Sequence, residues 1–379
     1  MCQRAILFIR TRYYNDSTDP FYYSNNTALT NLTSKQRIEY IDILRGLCIL
    51  WVIWIHLPSL SFTHYPLRMP LFFFLSGIFF KEYALDEFIF KKINTLLIPF
   101  IFFSLIGYFY QLSIYEFFSH FSSHGEDASF DLSSIFSMFS VIWTGDVILN
   151  PPLWFIAALL FFQILLYCII RIFRSLKWRV LSCLTLSAIM ILSSSNTGAF
   201  LYSNFWLFPF YCTGFLIGKP LLRYIDSTGL KNMSAFIVCG IVIFTASIII
   251  PDSGNPLVAK IIDIISFSIL IAGFIVLFKY LSRFRFFHYL KFWGSNSYAV
   301  LGLHWAAMQI LSTFYCVIFS TTLASTPSQI LILCLTVATL YPLILFLNRY
   351  CPMLVGKKDL IKHKTAERSE RPAVTTQMD

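Results

Sequence analysis

The sequence predicts an all-α, polytopic membrane bundle of about ten transmembrane helices with both termini in the cytoplasm. Three observations carry this. Of 379 residues, 57% are hydrophobic and only 13% are charged, where an average soluble domain has roughly a quarter charged. Apolar stretches of spanning length, about 20 residues, recur along almost the whole chain. The Lys and Arg residues between them fall almost entirely on alternate connecting segments.

Ten stretches reach or approach spanning length: 41–58, 66–83, 95–114, 153–172, 180–194, 200–218, 233–250, 260–279, 296–320 and 328–348. The fifth is short and Ser-rich. Pro99, Pro209 and Pro342 lie inside or at the ends of these runs, where neighbouring helices can satisfy the freed backbone groups. With the N-terminus inside, the inner segments contain Lys81, Lys91 and Lys92; then Arg171, Arg174, Lys177 and Arg179; then Lys219, Arg223 and Lys231; then Lys279, Arg283, Arg285 and Lys291; and finally the tail from Arg349 on. Outer positions hold only Arg68 and Lys260, and segment 112–152 carries Glu116, Glu126, Asp127, Asp131 and Asp146 with no Lys or Arg. Positive residues mark the cytoplasmic side, and an even number of spans places both termini there.

The net charge of +10 is thus gathered on one face. It suits anionic lipid head groups or a phosphate-bearing cytoplasmic ligand, not nucleic acid. Residues 1–36 read as a polar N-terminal extension without the apolar core of a cleavable signal peptide. Residues 37–350 form the membrane domain. Residues 351–379 form a basic cytoplasmic tail whose lack of apolar periodicity predicts disorder. The nine cysteines lie mostly inside apolar runs with no CxxC spacing, so they read as small buried hydrophobes and not as a disulfide framework or zinc site.

Ionisable groups inside a span are costly and therefore point to function. In the first span, Arg45 and His56 are eleven residues apart, close to three helical turns, which puts them on nearly one face separated by roughly 16 Å along the axis. Asp42 lies one turn before Arg45. Between the two ends the face carries Ile49 and Val52, while Trp51 and Trp54 point away. One stripe therefore holds an acid and a base near the inner surface, an apolar stretch, and an imidazole in the outer half. A guanidinium can hold a phosphate bidentately, and an imidazole can take a proton from an attacking hydroxyl near neutral pH. The plainer reading is an Asp42–Arg45 pair at the helix start and His56 capping the outer end.

The segment Arg37-Ile38-Glu39-Tyr40-Ile41-Asp42-Ile43-Leu44-Arg45-Gly46, followed after Arg45 by ten residues and His56, resembles the opening of the acyltransferase 3 family, with its Arg/Lys-x10-His signature. Met69-Pro70-Leu71-Phe72-Phe73-Phe74-Leu75-Ser76-Gly77 resembles that family's second-helix motif, and Lys91-Lys92-Ile93-Asn94-Thr95-Leu96-Leu97-Ile98-Pro99 its basic cluster before a proline. Pro152-Leu153-Trp154-Phe155, Tyr211-Cys212-Thr213-Gly214-Phe215-Leu216-Ile217-Gly218, and Gly294-Ser295-Asn296-Ser297-Tyr298 with Leu303-His304 continue the series in order. The resemblance implies a membrane O-acyltransferase with acyl-CoA, usually acetyl-CoA, as donor substrate and no tightly bound cofactor or metal. The implied acceptor is a hydroxyl of a cell-surface carbohydrate such as O-antigen, capsule or exopolysaccharide, or a lipid-linked sugar, at the cell inner membrane.

The resemblance implies that His56 is the catalytic imidazole, as general base or transient acyl carrier. Arg45 would position the CoA end or stabilise charge on the thioester oxygen, and Asp42 would orient Arg45. His304, two turns after Ser297 on the ninth span, would bind the acceptor or assist proton transfer; a histidine hydrogen-bonded inside the bundle is the alternative. Trp154 and Tyr298 could stack on a sugar or on adenine, or anchor at the interface. Lys91 and Lys92 could meet CoA phosphates, or snorkel. Ser76 and Gly77 fit close helix approach better than a nucleophile. Glu116, His120 and His124, spaced by four, fit an interfacial amphipathic turn better than a metal site. A transporter or flippase, or a polymerase of lipid-linked sugars, is the competing class. Against it, the two halves lack matching broken spans, and segment 112–152 lacks the mixed charges of a large sugar-handling loop.

Overall fold

The structure, a computed structural model, describes residues 38–56, 67–118, 132–142, 144–194, 200–228, 230–249, 256–319 and 325–361. The polar extension 1–36, the tail from 362 on, and His120 and His124 lie outside the described residues. Every regular element among the described residues is helical. In chain order they are α1 Glu39–Ile55, α2 Arg68–Ile78, α3 Leu85–Lys92, α4 Ile98–Phe118, α5 Trp154–Ile172, α6 Leu176–Ser194, α7 Phe200–Ser203, α8 Phe208–Ser227, α9 Leu230–Ile249, α10 Pro256–Leu281, α11 Tyr289–Ser295, α12 Ser297–Phe319 and α13 Thr326–Tyr350.

A helix stands at each of the ten apolar stretches. Among the described residues, seven helical runs are long and apolar enough to cross a membrane: Leu85–Ser113, Pro151–Ile172, Leu176–Ser194, Leu201–Ser227, Leu257–Leu281, Ser297–Phe319 and Thr326–Tyr350. The other three are α1, with 17 residues, α2, with 11, and α9, with 20. At about 1.5 Å per residue, eleven residues reach only about half of a roughly 30 Å hydrocarbon layer. The Ser-rich fifth stretch extends to 19 residues as α6 because Leu176–Arg179 join it.

Between α3 and α4 the helix widens into a π-turn at Ile93–Leu97. Pro99 follows directly; it has no N–H to donate and its ring crowds the preceding turn, and a wider turn absorbs both effects. A 3₁₀ turn at Pro151–Leu153 opens α5. Ser325 caps α13, its hydroxyl accepting from the Ser328 amide.

Glycines set the closest approaches. A methyl group at Gly46 of α1 would fall on the carbonyl oxygen of Leu290, and one at Gly294 of α11 would fall on that of Asp42. Between α2 and α8, Gly77 meets the Tyr211 carbonyl and Gly214 the Phe74 carbonyl. With few side-chain forces to draw helices together in lipid, small residues that let backbones touch are the means of tight association. Aromatic rings fill the space between α2, α5 and α8: Phe73 stands 4.8 Å from Phe155 and 5.0 Å from Phe162, which lies 5.2 Å from Phe208.

Polar contacts join ends that the alternating pattern assigns to one side. Lys291 donates to Glu39 at 2.8 Å, Lys279 lies 3.4 Å from Asp226, Arg179 3.3 Å from Glu82, and Lys91 4.0 Å from Asp359. At the opposite ends, Tyr202 donates to the Ile142 carbonyl at 3.0 Å, Gln111 to those of Ile148 and Leu149, and Lys260 to Ser194 at 2.9 Å. The outer flanks of α9, α10 and α13 expose Ile241, Val242, Ile262, Ile265, Leu335 and Phe346. Cys168, Cys239 and Cys334 share such outward positions, whereas Cys48, Cys183 and Cys212 are buried as expected. A thiol is apolar enough for an outward-facing position on a membrane helix. Residues 351–361 return to the bundle, so the disorder expected from 351 on does not include them.

Candidate functional site

The Gly46–Gly294 contact builds one end of the site. Arg45 precedes Gly46, and Ser297 follows Gly294 by three residues, so the backbone contact between α1 and α11 brings the two side chains together. The Arg45 Nη2 donates to the Ser297 hydroxyl at 3.2 Å. Ser297 opens α12 and is buried. Asp42, 5% exposed, sits one turn below Arg45 on α1.

From Arg45 a narrow cleft runs along α1 past Ile49 and Val52, the two apolar residues of the predicted stripe. Its other walls are Met69, Phe72 and Ser76 of α2, Phe155 of α5, and Ser297, Tyr298 and Leu301 of α12. The opening between these side chains is small, about 10 Å³, room for roughly one water molecule. Trp54 is exposed on the far side of α1.

At the other end of α1, His56 follows the last turn and is half-buried. Its ring lies 5.3 Å from that of His304 and 5.2 Å, edge-on, from that of Trp305. His304 is 0% exposed, and its Nδ1 lies 2.9 Å from the Val300 carbonyl oxygen. A carbonyl only accepts, so Nδ1 carries a proton, and in the neutral ring Nε2 keeps its lone pair. That Nε2 is buried with no hydrogen-bond partner among the described residues. A fully buried acceptor left open in this way is a natural site for a substrate hydroxyl or a proton.

Five of the predicted site residues fall into two groups. Arg45, Ser297 and Tyr298 line the cleft, and His56 and His304 meet in ring contact. Lys91, Lys92 and Trp154 are not among the cleft's lining residues. Lys91 faces Asp359 across 4.0 Å, and the Lys92 ammonium sits over the rings of Phe88 and Phe80 at 5.2 and 5.8 Å. Trp154 is buried beside Phe73, and its neighbour Phe155 takes the cleft wall.

Sequence reasoning passed over Trp305, although it adjoins His304. Arg68, placed at an outer position by the charge pattern, is the first residue of α2 and half-buried. The available signal was its place immediately before Met69-Pro70. Among the described residues no cluster of His, Cys, Asp and Glu could hold a metal ion.

A family model described as an acyltransferase domain matches residues 38–347, most of the chain. No match was found among curated proteins or among solved structures.

Proposed function

The chain belongs to the acyltransferase 3 family, and from that premise we propose that it is a multi-pass inner-membrane enzyme that moves an acyl group, most simply acetyl, from cytoplasmic acyl-CoA to a hydroxyl of a cell-surface carbohydrate such as O-antigen, capsule or exopolysaccharide. The observation that carries this reading is a cleft with a guanidinium at one end and an apolar wall along its length, and a pair of imidazoles beyond it, His56 continuing the same helix stripe.

Arg45 and His56 are separated by roughly 16 Å along α1, too far to serve the same atom. That distance favours Arg45 as the group that holds the polar end of the donor, a task suited to its fork of donors. The donor's extended arm then lies against Ile49, Val52 and Leu301, and the thioester reaches the imidazole end. The acceptor oxygen attacks the acyl carbon, the ester C–O bond forms, and the C–S bond to CoA breaks. His56 takes the hydroxyl proton and passes it to the departing thiolate. His304, with Nε2 available, orients His56 or the acceptor hydroxyl. Ser297 holds Arg45, Asp42 helps orient it, and Tyr298 stacks on the donor or the sugar. Lys91 and Lys92 add positive charge for phosphate at the Arg45 end, and Trp154 supports the cleft through Phe155. Acyl-CoA enters and leaves as a substrate, with no cofactor tightly bound.

The test is O-acetylation of the surface glycan by wild type and His56→Ala in one host, read as acetyl protons in the NMR spectrum of the purified polysaccharide. Acetyl signals from the wild type that vanish in a mutant present at normal membrane level support the reading. A glycan identical with and without the wild-type gene sinks it.

A further inference from the structure

Past α13 the chain does not simply leave the bundle. Gly356 turns it with φ at +70°, a left-handed conformation that side chains disfavour, and passes over the Thr95 carbonyl of the π-turn and Pro99 of α4. Two buried asparagines then receive the returning segment. Asn94, 2% exposed, uses its full hydrogen-bonding capacity. Its amide group donates to the carbonyls of Phe90 and Ile361 at 2.9 and 3.0 Å, and its oxygen accepts from the backbone amides of Leu360 and Ile361 at 2.8 and 2.9 Å. Asn296, 5% exposed, donates to the Phe292 carbonyl at 2.7 Å. Its oxygen accepts from Asn348 of α13 at 2.8 Å and from the Lys357 ammonium.

Asn296 is the break between α11 and α12, and the next residue is Ser297, the partner of Arg45. One buried amide is therefore tied to its own helix, to α13 and to the returning segment, immediately beside the cleft's guanidinium end. Asn94 is fully satisfied, whereas the oxygen of Asn348, the donor to Asn296, has no partner among the described residues. Buried polar contacts of this kind fix the arrangement of the elements they join, and losing one is costly because its partner stays buried. We propose that residues 355–361 form a strap, fastened at Asn94 and Asn296, that fixes the α11–α12 break and so holds Ser297 against Arg45. Lys357 and Asn94 are positioning residues for the donor-binding end of the cleft. The Lys357 ammonium also adds to the positive field where an anionic donor arrives. The functional half of this proposal rests on the acyl-transfer reading; the mechanical half does not.

The experiment uses full-length Lys357→Met, Lys357→Arg and Asn94→Ala proteins. Transfer from radiolabelled acetyl-CoA into glycan-bearing membranes gives KM for acetyl-CoA and kcat, and hydrogen exchange on the purified proteins follows amides 297–303. Lys357→Met and Asn94→Ala are expected to raise KM by about tenfold while kcat stays within about twofold, the signature of lost donor binding. Lys357→Arg is expected to restore most of that loss. Amides 297–303 are expected to exchange faster in the two disruptive variants, with α5 unchanged. Wild-type KM and wild-type exchange in Lys357→Met overturn the strap. So does a fall in kcat and membrane level that Lys357→Arg fails to rescue, because that marks general misfolding. If the wild type transfers nothing, the acyl-transfer reading falls by itself and the exchange result alone judges the strap.

Discussion

The two ends of the α1 stripe, the cleft at Arg45 and the ring cluster at His56, are built differently. The Arg45 end is cross-tied: α1 and α11 touch through glycine backbones, Ser297 accepts from Arg45, and Asn296 and Asn94 bind α13 and the returning strap. The His56 end is made of three rings, His56, His304 and Trp305, with His304 fixed through one nitrogen to the Val300 carbonyl and its other nitrogen open. A site that must hold a charged donor in place gains from rigidity. A site that must exchange a proton needs an acceptor not already saturated by protein. Under the proposed acyl-transfer reading, binding falls to one end and chemistry to the other, and substitutions at the two ends should therefore alter different kinetic constants.

The largest effect is expected at His56. Removing a positioned general base costs on the order of 10²- to 10⁴-fold, so His56→Ala should lower kcat by at least about a hundredfold at unchanged membrane level. A variant that keeps wild-type kcat would erase the division of labour between the ends. His304→Ala should follow with a kcat loss of about ten- to a hundredfold, smaller because it acts beside the imidazole in ring contact with it. A melting curve run alongside separates this from collapse of the buried site, since the substitution also frees the Val300 carbonyl.

Arg45→Lys sharpens the contrast from the other side. It keeps the charge and loses the fork, so KM for acetyl-CoA should rise about three- to tenfold with kcat nearly constant. A fall in kcat with constant KM would instead put Arg45 at the thioester oxygen, against the axial distance argued above.

Much of this was legible in the sequence, for reasons that particular residues make clear. Helical periodicity alone places Arg45, Ile49, Val52 and His56 on one stripe, and the structure lines the cleft with the first three. That Ser297 and His304 share one side of a helix also follows from spacing. What spacing does not give is pairing across some 250 positions: nothing in the local pattern says that Ser297 meets Arg45 or that His304 meets His56. The strap escaped for a different reason. Residues 351–361 carry charge and no apolar period, so the sequence reads as solvated tail, yet the far end of the segment is held by backbone groups received by the side chain of Asn94. Backbone hydrogen bonds leave no mark on composition. Lys91 and Lys92 show the converse: a conspicuous basic pair whose neighbours in the structure are a carboxylate and aromatic rings.

The smallest expected effect lies at the rim of the tied end. Glu39, ahead of the apolar run that begins at 41, accepts from Lys291 at 2.8 Å and lies 3.8 Å from His288, with its side chain 43% exposed. The hydrogen bond from Lys291 is the main influence holding the carboxyl below its ordinary value; burial opposes it, and the charges of Lys291 and His288 assist. A carboxyl depressed in the folded state stabilises the fold at pH above its unfolded value, and that contribution fades as pH falls through the lowered folded value. Water screens a pair this exposed, so Glu39→Gln should shift the melting temperature of the purified protein by no more than about 2 °C at pH 7, and the difference from wild type should disappear as pH falls through the lowered folded value. KM for acetyl-CoA should stay within about twofold, because Lys291 lies on α11 short of the Asn296 break and does not line the cleft. A shift in KM as large as that expected for Lys357→Met would mean that the whole α1–α11 face, and not the strap alone, sets the position of Ser297.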